Sequence, residues 1–172
     1  MPHSLAALNS CDRDMFVAAI GHLFEHSPWV ADETFGRRPF RDADGLHAAL
    51  CETVRSAPPE RQLALIRAHP DLAGRLAKAG ALTPSSAREQ SAAGLDRLSA
   101  SEAAEIERLN NAYTARFGFP FVICARLNAK DAILAAMRSR VGNTPEAELS
   151  TALGEIAKIA RLRLNEAIAK EN

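Results

Sequence analysis

The stretch RAHPDLAGRLAKAGALTPSSAREQSAAG, from Arg67 to Gly94, contains two places where unusual backbone geometry coincides with reactive side chains. The first is His69-Pro70. The residue before a proline is pushed out of the helical region toward extended geometry. A helix that begins at Pro59 is therefore expected to end near Ala68, which leaves the His69 imidazole at a helix end rather than along a helix side.

The second place is Thr83-Pro84, which is typical of an N-cap followed by proline at the first helical position. The short helix that starts there carries Ser86, Glu89 and Gln90, whose i, i+3, i+4 spacing puts them on one face. A histidine at a chain bend and a polar helix face close behind it can line a pocket together. The alternative, a His-Pro helix terminator beside a solvated face, remains open on spacing alone.

The composition limits the class of protein. A chain of 172 residues with a formal net charge of zero predicts one domain, residues 1–172, with neither a nucleic-acid nor a membrane partner. Cys11, Cys51 and Cys124 are far apart, which disfavours a disulfide framework and a zinc site. We expect a reducing, cytoplasmic setting, because the first twenty residues also lack an apolar run of the signal-peptide type.

Helix-forming residues dominate the rest of the chain. Alanine and leucine are abundant, whereas aromatic residues are 5% of the total, so we expect an all-α fold: a single-domain compact bundle of about eight to ten helices with one buried extended segment. The cap, proline and glycine signals place helices at residues 12–25, 27–36, 42–56, 59–68, 71–78, 99–117, 129–140 and 144–169, with a short turn at 4–9 and the helix at Thr83.

The extended segment is expected at Phe119–Ala125, the most apolar and most β-like run. A proline lies inside it, and it has no partner strand elsewhere. Its N–H groups must then bond to something else. A ligand is one candidate, and side chains or water are the other.

The last helix carries an anomaly. Leu149, Leu153, Ile156 and Ala160 are predicted to form its core-facing stripe, and the next position on that stripe is Arg163. A guanidinium among apolar residues is costly unless an anion or several acceptors meet it. Arg163 is therefore a core arginine paired with a structural carboxylate, an arginine whose charged end reaches the edge of the core, or a clamp for an anionic ligand.

Two histidines and one cysteine are weaker candidates for a metal site or a nucleophile. His22 and His26 have the i, i+4 spacing of zinc ligands, but no third ligand lies nearby in sequence, so a structural or pocket-edge role is favoured for His26. Cys124 has no adjacent base, which favours a buried inert thiol over a nucleophile.

Five blocks in order resemble the OHCU decarboxylase family, whose substrate is 2-oxo-4-hydroxy-4-carboxy-5-ureidoimidazoline (OHCU) of urate breakdown. The blocks are Phe24–Val30 (FEHSPWV), His69–Gly74 (HPDLAG), Glu89-Gln90-Ser91 with Gly94-Leu95, Phe117–Cys124 (FGFPFVIC) and Lys158–Leu164 (KIARLRL). The resemblance implies an all-α enzyme, usually a homodimer, that converts OHCU to (S)-allantoin and CO2 without a metal or organic cofactor.

The resemblance also assigns roles to residues. It implies that His69 and Glu89 are catalytic and that Arg163 binds the substrate. The remaining substrate-binding positions that it implies are Pro70, Ser86, Gln90, Phe119, Val122 and Ile123. Two alternatives remain: a family member that acts on another ureido or imidazoline acid, and a non-catalytic helical binding protein.

Overall fold

The computed structural model describes residues 2–169, except for the side chain of Leu76. This part of the chain forms ten α-helices and three short 3₁₀ helices and contains no β-sheet, which confirms the all-α prediction. The α-helices are α1 Leu5–Ser10, α2 Arg13–Ile20, α3 Trp29–Thr34, α4 Ala43–Ser56, α5 Pro59–Arg67, α6 Arg75–Lys78, α7 Pro84–Ala92, α8 Ala100–Phe117, α9 Lys130–Arg140 and α10 Pro145–Ala167. The 3₁₀ helices are Gly21–Leu23, Phe35–Arg37 and Ala125–Leu127.

The contacts divide the chain into two compact units. The first contains residues up to Ala68 and from Ala157 onward, and the second contains His69–Ile156. None of the helices in residues 2–169 is long and apolar enough to cross a membrane.

In the first unit, α3 packs against α2 and α4 around a core that includes Phe16, Leu46 and Leu50. Asp12 and Asp42 cap α2 and α4, because each carboxylate accepts a hydrogen bond from a backbone N–H three residues on. These caps explain why both helices begin where the sequence predicts.

Two predictions in the first unit are wrong in detail. The helix expected at 12–25 ends at Ile20 and continues as a 3₁₀ turn at Gly21–Leu23, where the chain passes so close to Pro28 that a Cβ on Gly21 would lie 3.2 Å from the Cβ of Pro28. Ser27 does not cap α3. Its hydroxyl donates to the Glu25 carbonyl at 2.9 Å, and the start of α3 has no side-chain cap hydrogen bond.

In the second unit, α8 packs against α9 and begins with the predicted capping box, in which Ser99 and Glu102 each bond the other's backbone N–H. Gly118 ends α8 at φ 75°, a left-handed conformation that favours glycine. The predicted helix start at Asp71 is wrong. Helix α6 begins at Arg75 after a tight turn in which a Cβ on Gly74 would lie 2.6 Å from the Cβ of Asp71.

The extended segment after Gly118 is present and buried, as predicted. Phe119, Phe121, Val122, Ile123 and Cys124 are all at most 8% exposed, and the 3₁₀ turn starts at Ala125. The ring of Tyr113 meets those of Phe119 and Phe121 edge-on at 5.9 and 5.3 Å between centroids.

A buried carboxylate holds this segment. Glu148 is 0% exposed and accepts hydrogen bonds from Arg140 (2.9 Å), the Asn143 amide (2.8 Å) and the Tyr113 hydroxyl. Arg140 also donates to the Val122 carbonyl at 2.9 Å. Burial alone raises the pKa of a carboxyl group, but these donors together keep the pKa of Glu148 below its ordinary value of 4.5.

The buried stripe of α10 follows the prediction at Ile156, Ala160 and Arg163 and departs from it in the first turns of the helix. Glu148, Ala152, Ile156 and Ala160 are buried, whereas Leu149 and Leu153 are only half-buried. Glu148 is buried at the start of the helix because its carboxylate finds three donors inside the second unit.

We expect Glu148→Gln to lower the free energy of unfolding by about 3–5 kcal/mol at pH 7, because it leaves the Arg140 guanidinium buried without its counter-charge. The pKa of Glu148 is depressed in the folded state, so its contribution is complete above pH 4.5 and is lost as the pH falls through the lower folded value. Urea unfolding between pH 7 and pH 3.5 should therefore show a smaller acid-induced loss in the variant than in the wild type.

The matched control is Glu146→Gln, at an exposed position in the first turn of the same helix. It should change the free energy of unfolding by less than about 0.5 kcal/mol. Equal losses in the two variants would contradict the assigned role of Glu148.

Candidate active site

His69 lies just beyond the end of α5, as the His-Pro sequence predicts. The helix ends at Arg67, and His69 is the first residue of the second unit. Its side chain is 7% exposed, so the imidazole is a buried group rather than a surface helix terminator. Pro70 follows at a half-buried position.

The loop after Pro70 is held by the side chain of Gln90 on α7. The Gln90 Oε1 accepts from the Ala73 N–H at 2.8 Å, and its Nε2 donates to the Asp71 carbonyl at 3.4 Å. Ala73 has φ 47°, a left-handed conformation that costs an alanine about 1–2 kcal/mol. The side-chain hydrogen bonds compensate for this strain.

Helix α7 carries the predicted polar face. Thr83 caps it at the predicted residue, with its hydroxyl accepting from the Ser86 N–H at 3.3 Å. Ser86 and Gln90 are 4% and 6% exposed, and Glu89 is half-buried. This burial excludes the solvated-face alternative for Ser86 and Gln90.

The extended segment lies beside the same helix, because α7 packs against the 3₁₀ turn Ala125–Leu127 that follows the segment. The Cys124 N–H donates to Glu155 at 2.8 Å. The N–H groups of Phe121, Val122 and Ile123 have no hydrogen-bond acceptor among residues 2–169. A ligand or water can therefore accept from these N–H groups.

Asp71 adds a second carboxyl group to the histidine loop. Burial raises its pKa above the ordinary value of 3.8, and the charge of Arg75 only partly opposes this effect. Its Oδ1 is buried and has no donor within the described part of the chain.

Arg163 belongs to the first unit. Its side chain is 3% exposed, and its Nη1 donates to the Glu25 carboxylate, itself 2% exposed, at 2.9 Å. The same nitrogen lies 3.5 Å from the carbonyls of His22 and Leu23. Arg163 is therefore a core arginine paired with a carboxylate, as one of the alternatives from the sequence had it. Direct contact of Arg163 with a substrate stays a prediction.

The predicted site residues thus divide between the two units. Arg163 lies in the first unit, and the second holds His69, Pro70, Ser86, Glu89, Gln90, Phe119, Val122 and Ile123. His22 and His26 are both exposed. Across residues 2–169, no group of three or more His, Cys, Asp or Glu side chains is arranged to hold a metal ion.

Glu25 and Asn110 are among the buried polar residues that sequence reasoning missed. The sequence does contain a signal for Asn110. This residue lies on the apolar stripe of α8 with Ile106, Leu109 and Tyr113, and the same kind of helical spacing singled out Arg163. Glu25 had none, because it follows a helix end where periodicity carries no information.

These features define an all-α protein in which buried polar side chains converge on a backbone loop next to a buried histidine. The comparisons with known proteins go further. The family model for OHCU decarboxylase matches residues 9–165. The chain therefore belongs to the OHCU decarboxylase family.

Relatives and solved structures agree with this assignment. The chain is 45% identical to 2-oxo-4-hydroxy-4-carboxy-5-ureidoimidazoline decarboxylase of Haloferax volcanii over 98% of both chains. It is 39% identical to the Mus musculus protein of that name over 94% of this chain and 91% of the relative.

Two crystal structures are similar to this fold. One is of an OHCU decarboxylase in the presence of (S)-allantoin, with a TM-score of 0.68, 25% identity, and coverage of 91% of this chain and 99% of the other. The second is of an (S)-allantoin synthase, with a TM-score of 0.79 and 29% identity. The match to the (S)-allantoin synthase covers 99% of this chain and 56% of that longer protein.

We expect Glu25→Leu to lower the free energy of unfolding by about 3–5 kcal/mol, because it leaves the Arg163 charge buried without its carboxylate. The double variant Glu25→Leu/Arg163→Leu should recover most of that loss, since both charges are then absent. Urea unfolding at pH 7 measures all three proteins.

The control is the Arg13–Asp32 ion pair of the same unit, whose side chains are 53% and 47% exposed. Asp32→Ala should cost at most about 1 kcal/mol. If the double variant at the buried pair were no more stable than Glu25→Leu, the ionic account of that pair would be wrong.

Proposed function

We propose that this protein is a carboxy-lyase that decarboxylates OHCU to (S)-allantoin in urate degradation. The observation that carries the proposal is the match to the OHCU decarboxylase family across residues 9–165, together with 45% identity over nearly the whole length of a named OHCU decarboxylase. The buried His69, the helix with Glu89 and the unpaired amides of the extended segment provide groups suited to that reaction.

The substrate itself supplies the electron sink. OHCU carries a carboxylate on a carbon that adjoins a ring C=N bond, so the electron pair of the breaking C–C bond can move into that C=N as CO2 leaves. The protein then has to orient the substrate, stabilise developing charge and move protons. The side chains assigned by the resemblance are of the types that these tasks need.

His69 is the proposed general acid/base at the ring hydroxyl. A positioned imidazole of this kind contributes about 10²- to 10⁴-fold in rate. Its burial removes competing water, and Glu89 on α7 is proposed to set its protonation state or to act with it as a pair. The enediamine-like intermediate that follows decarboxylation takes a proton on one face, which sets the handedness of allantoin.

Arg163 and the backbone donors of the extended segment are proposed to bind the ureido and ring oxygens of the substrate. A guanidinium fork and fixed N–H groups suit planar oxygen acceptors, and preorganised donors stabilise developing charge without reorganisation. Glu25 holds the Arg163 Nη1 at 2.9 Å and so fixes the direction of the fork. Pro70, Ser86, Gln90 and Phe119 are proposed to line the pocket.

A homodimer in a reducing, cytoplasmic setting is the proposed assembly and location. The resemblance to the family supports the homodimer. The wide spacing of Cys11, Cys51 and Cys124 in the sequence supports a reducing setting.

The deciding experiment is circular dichroism at an allantoin-sensitive wavelength on freshly prepared OHCU, with and without the protein. OHCU decays without an enzyme to racemic allantoin, which gives no signal and serves as the baseline. Rapid growth of a single-handed signal supports both decarboxylation and one-sided protonation. A trace identical to the baseline rules out the proposed activity and favours a related ureido acid as substrate.

In this assay His69→Asn and Glu89→Gln should each lose about 10²- to 10⁴-fold in kcat, because each removes a proton-transferring group while keeping a similar shape. Far-UV circular dichroism should stay helical. Glu60→Gln, at an exposed position in the first turn of α5, is the matched control and should retain wild-type kcat. Near wild-type turnover by His69→Asn would disprove the role given to this histidine.

A further inference from the structure

We infer that Asn110 on α8 is a positioning residue for the histidine loop, an inference that rests on the proposed function of His69. Asn110 is 6% exposed, and its Nδ2 donates to the Leu72 carbonyl at 2.9 Å. The direction of this bond is unambiguous, because a carbonyl oxygen at that distance requires a donor and only the nitrogen of a carboxamide donates.

The loop Asp71–Ala73 depends on side chains for its conformation. Its own backbone supplies one long hydrogen bond, from the Gly74 N–H to the Asp71 carbonyl at 3.4 Å. Gln90 binds the first and third residues of the loop, and Asn110 binds the middle one. Two carboxamides from two different helices therefore hold three consecutive residues.

The two anchors have different consequences for His69. Gln90 directly follows Glu89, so it ties the loop to the helix that carries the proposed partner of the histidine. Asn110 ties the loop to α8, an 18-residue helix with a capping box at its start and a glycine at its end. A loop held by two helices is fixed more closely than a loop held by one. His69 lies only three residues before Leu72, so the position of its imidazole depends on this loop.

A packing role alone does not explain an asparagine at this position. Its neighbours on the stripe of α8 are Ile106, Leu109 and Tyr113. Its Oδ1 is buried and has no donor within the described residues. Burying an unsatisfied polar atom is costly, and a leucine, whose side chain has a similar branched shape, would occupy the position without that cost. The benefit of the asparagine therefore lies in the bond to the loop.

Ala73 explains why the loop needs this support. Its left-handed conformation at φ 47° is strained for an alanine and persists only where surrounding contacts determine it. With the Leu72 carbonyl released, the strained residue next to it can relax and carry the histidine away from its productive position. A misplacement of about 1 Å in a catalytic group can cost about 10²-fold in rate.

The test compares Asn110→Leu with Asn111→Leu, an exposed neighbour on the same helix. We expect Asn110→Leu to lower kcat about 10- to 100-fold while KM changes less than about threefold, because the substrate-binding donors are untouched. The Asn111→Leu control should match the wild type. An unchanged kcat in Asn110→Leu would overturn the inference.

Two measurements without substrate separate this inference from the proposed function. In Asn110→Leu, the imidazole titration of His69 followed by NMR should shift, and the Ala73 amide should exchange with solvent faster than in Asn111→Leu. If the wild type does not decarboxylate OHCU but these changes occur, the proposed function fails and the positioning role stands. If the wild type is active and neither change occurs, the positioning role fails alone.

A measurement on the wild type covers the case in which Asn110→Leu does not fold. The side-chain NH2 protons of Asn110 should exchange far more slowly than those of Asn111 in the same spectrum, because one amide is bonded in the core and the other is in water. Equal exchange rates would overturn the inference.

Discussion

The second unit depends on one buried carboxylate. Glu148 has no exposed surface and lies among donors from three elements: Tyr113 on α8, Arg140 on α9 and Asn143 in the turn before α10. Removing a charge from water is costly, and here the cost is offset because each lone pair finds a donor. The same Arg140 reaches the Val122 carbonyl, so the ion pair determines where the extended segment lies.

Side chains that bind backbone recur throughout this unit. Gln90 and Asn110 hold the loop after His69, Arg140 and Glu155 hold the extended segment, and Thr83 and Ser99 start the helices that flank the site. Irregular backbone inside a protein lacks the hydrogen bonds of helices and sheets, so its N–H and C=O groups need other partners. Here the partners come from rigid helices, which is how a loop can present a catalytic group with little freedom.

Buried charge has a different purpose in the first unit. Glu25 and Arg163 face each other almost without solvent, so the guanidinium is fixed in direction and its charge is largely balanced. In the proposed function Arg163 binds ureido and ring oxygens of the substrate, and binding the ground state as tightly as the transition state gives no acceleration. A partly neutralised arginine therefore suits the proposed role, because it can orient these uncharged oxygens without holding the substrate too tightly before the reaction.

The sequence by itself determined most of the helix ends and the residue types of the candidate site. Proline at 70 and 84, the caps at Asp12, Asp42, Thr83 and Ser99, and Gly118 act on neighbouring backbone atoms, so local steric and hydrogen-bonding rules place the helix ends. Arg163 stood out because a charge on an apolar stripe breaks a periodic pattern. Tertiary structure alone decided that Glu148 replaces Leu149 on the buried stripe, that Glu25 meets Arg163 and that Asn110 reaches Leu72. The partners lie from 5 to 138 residues away along the chain, and helical periodicity does not identify them.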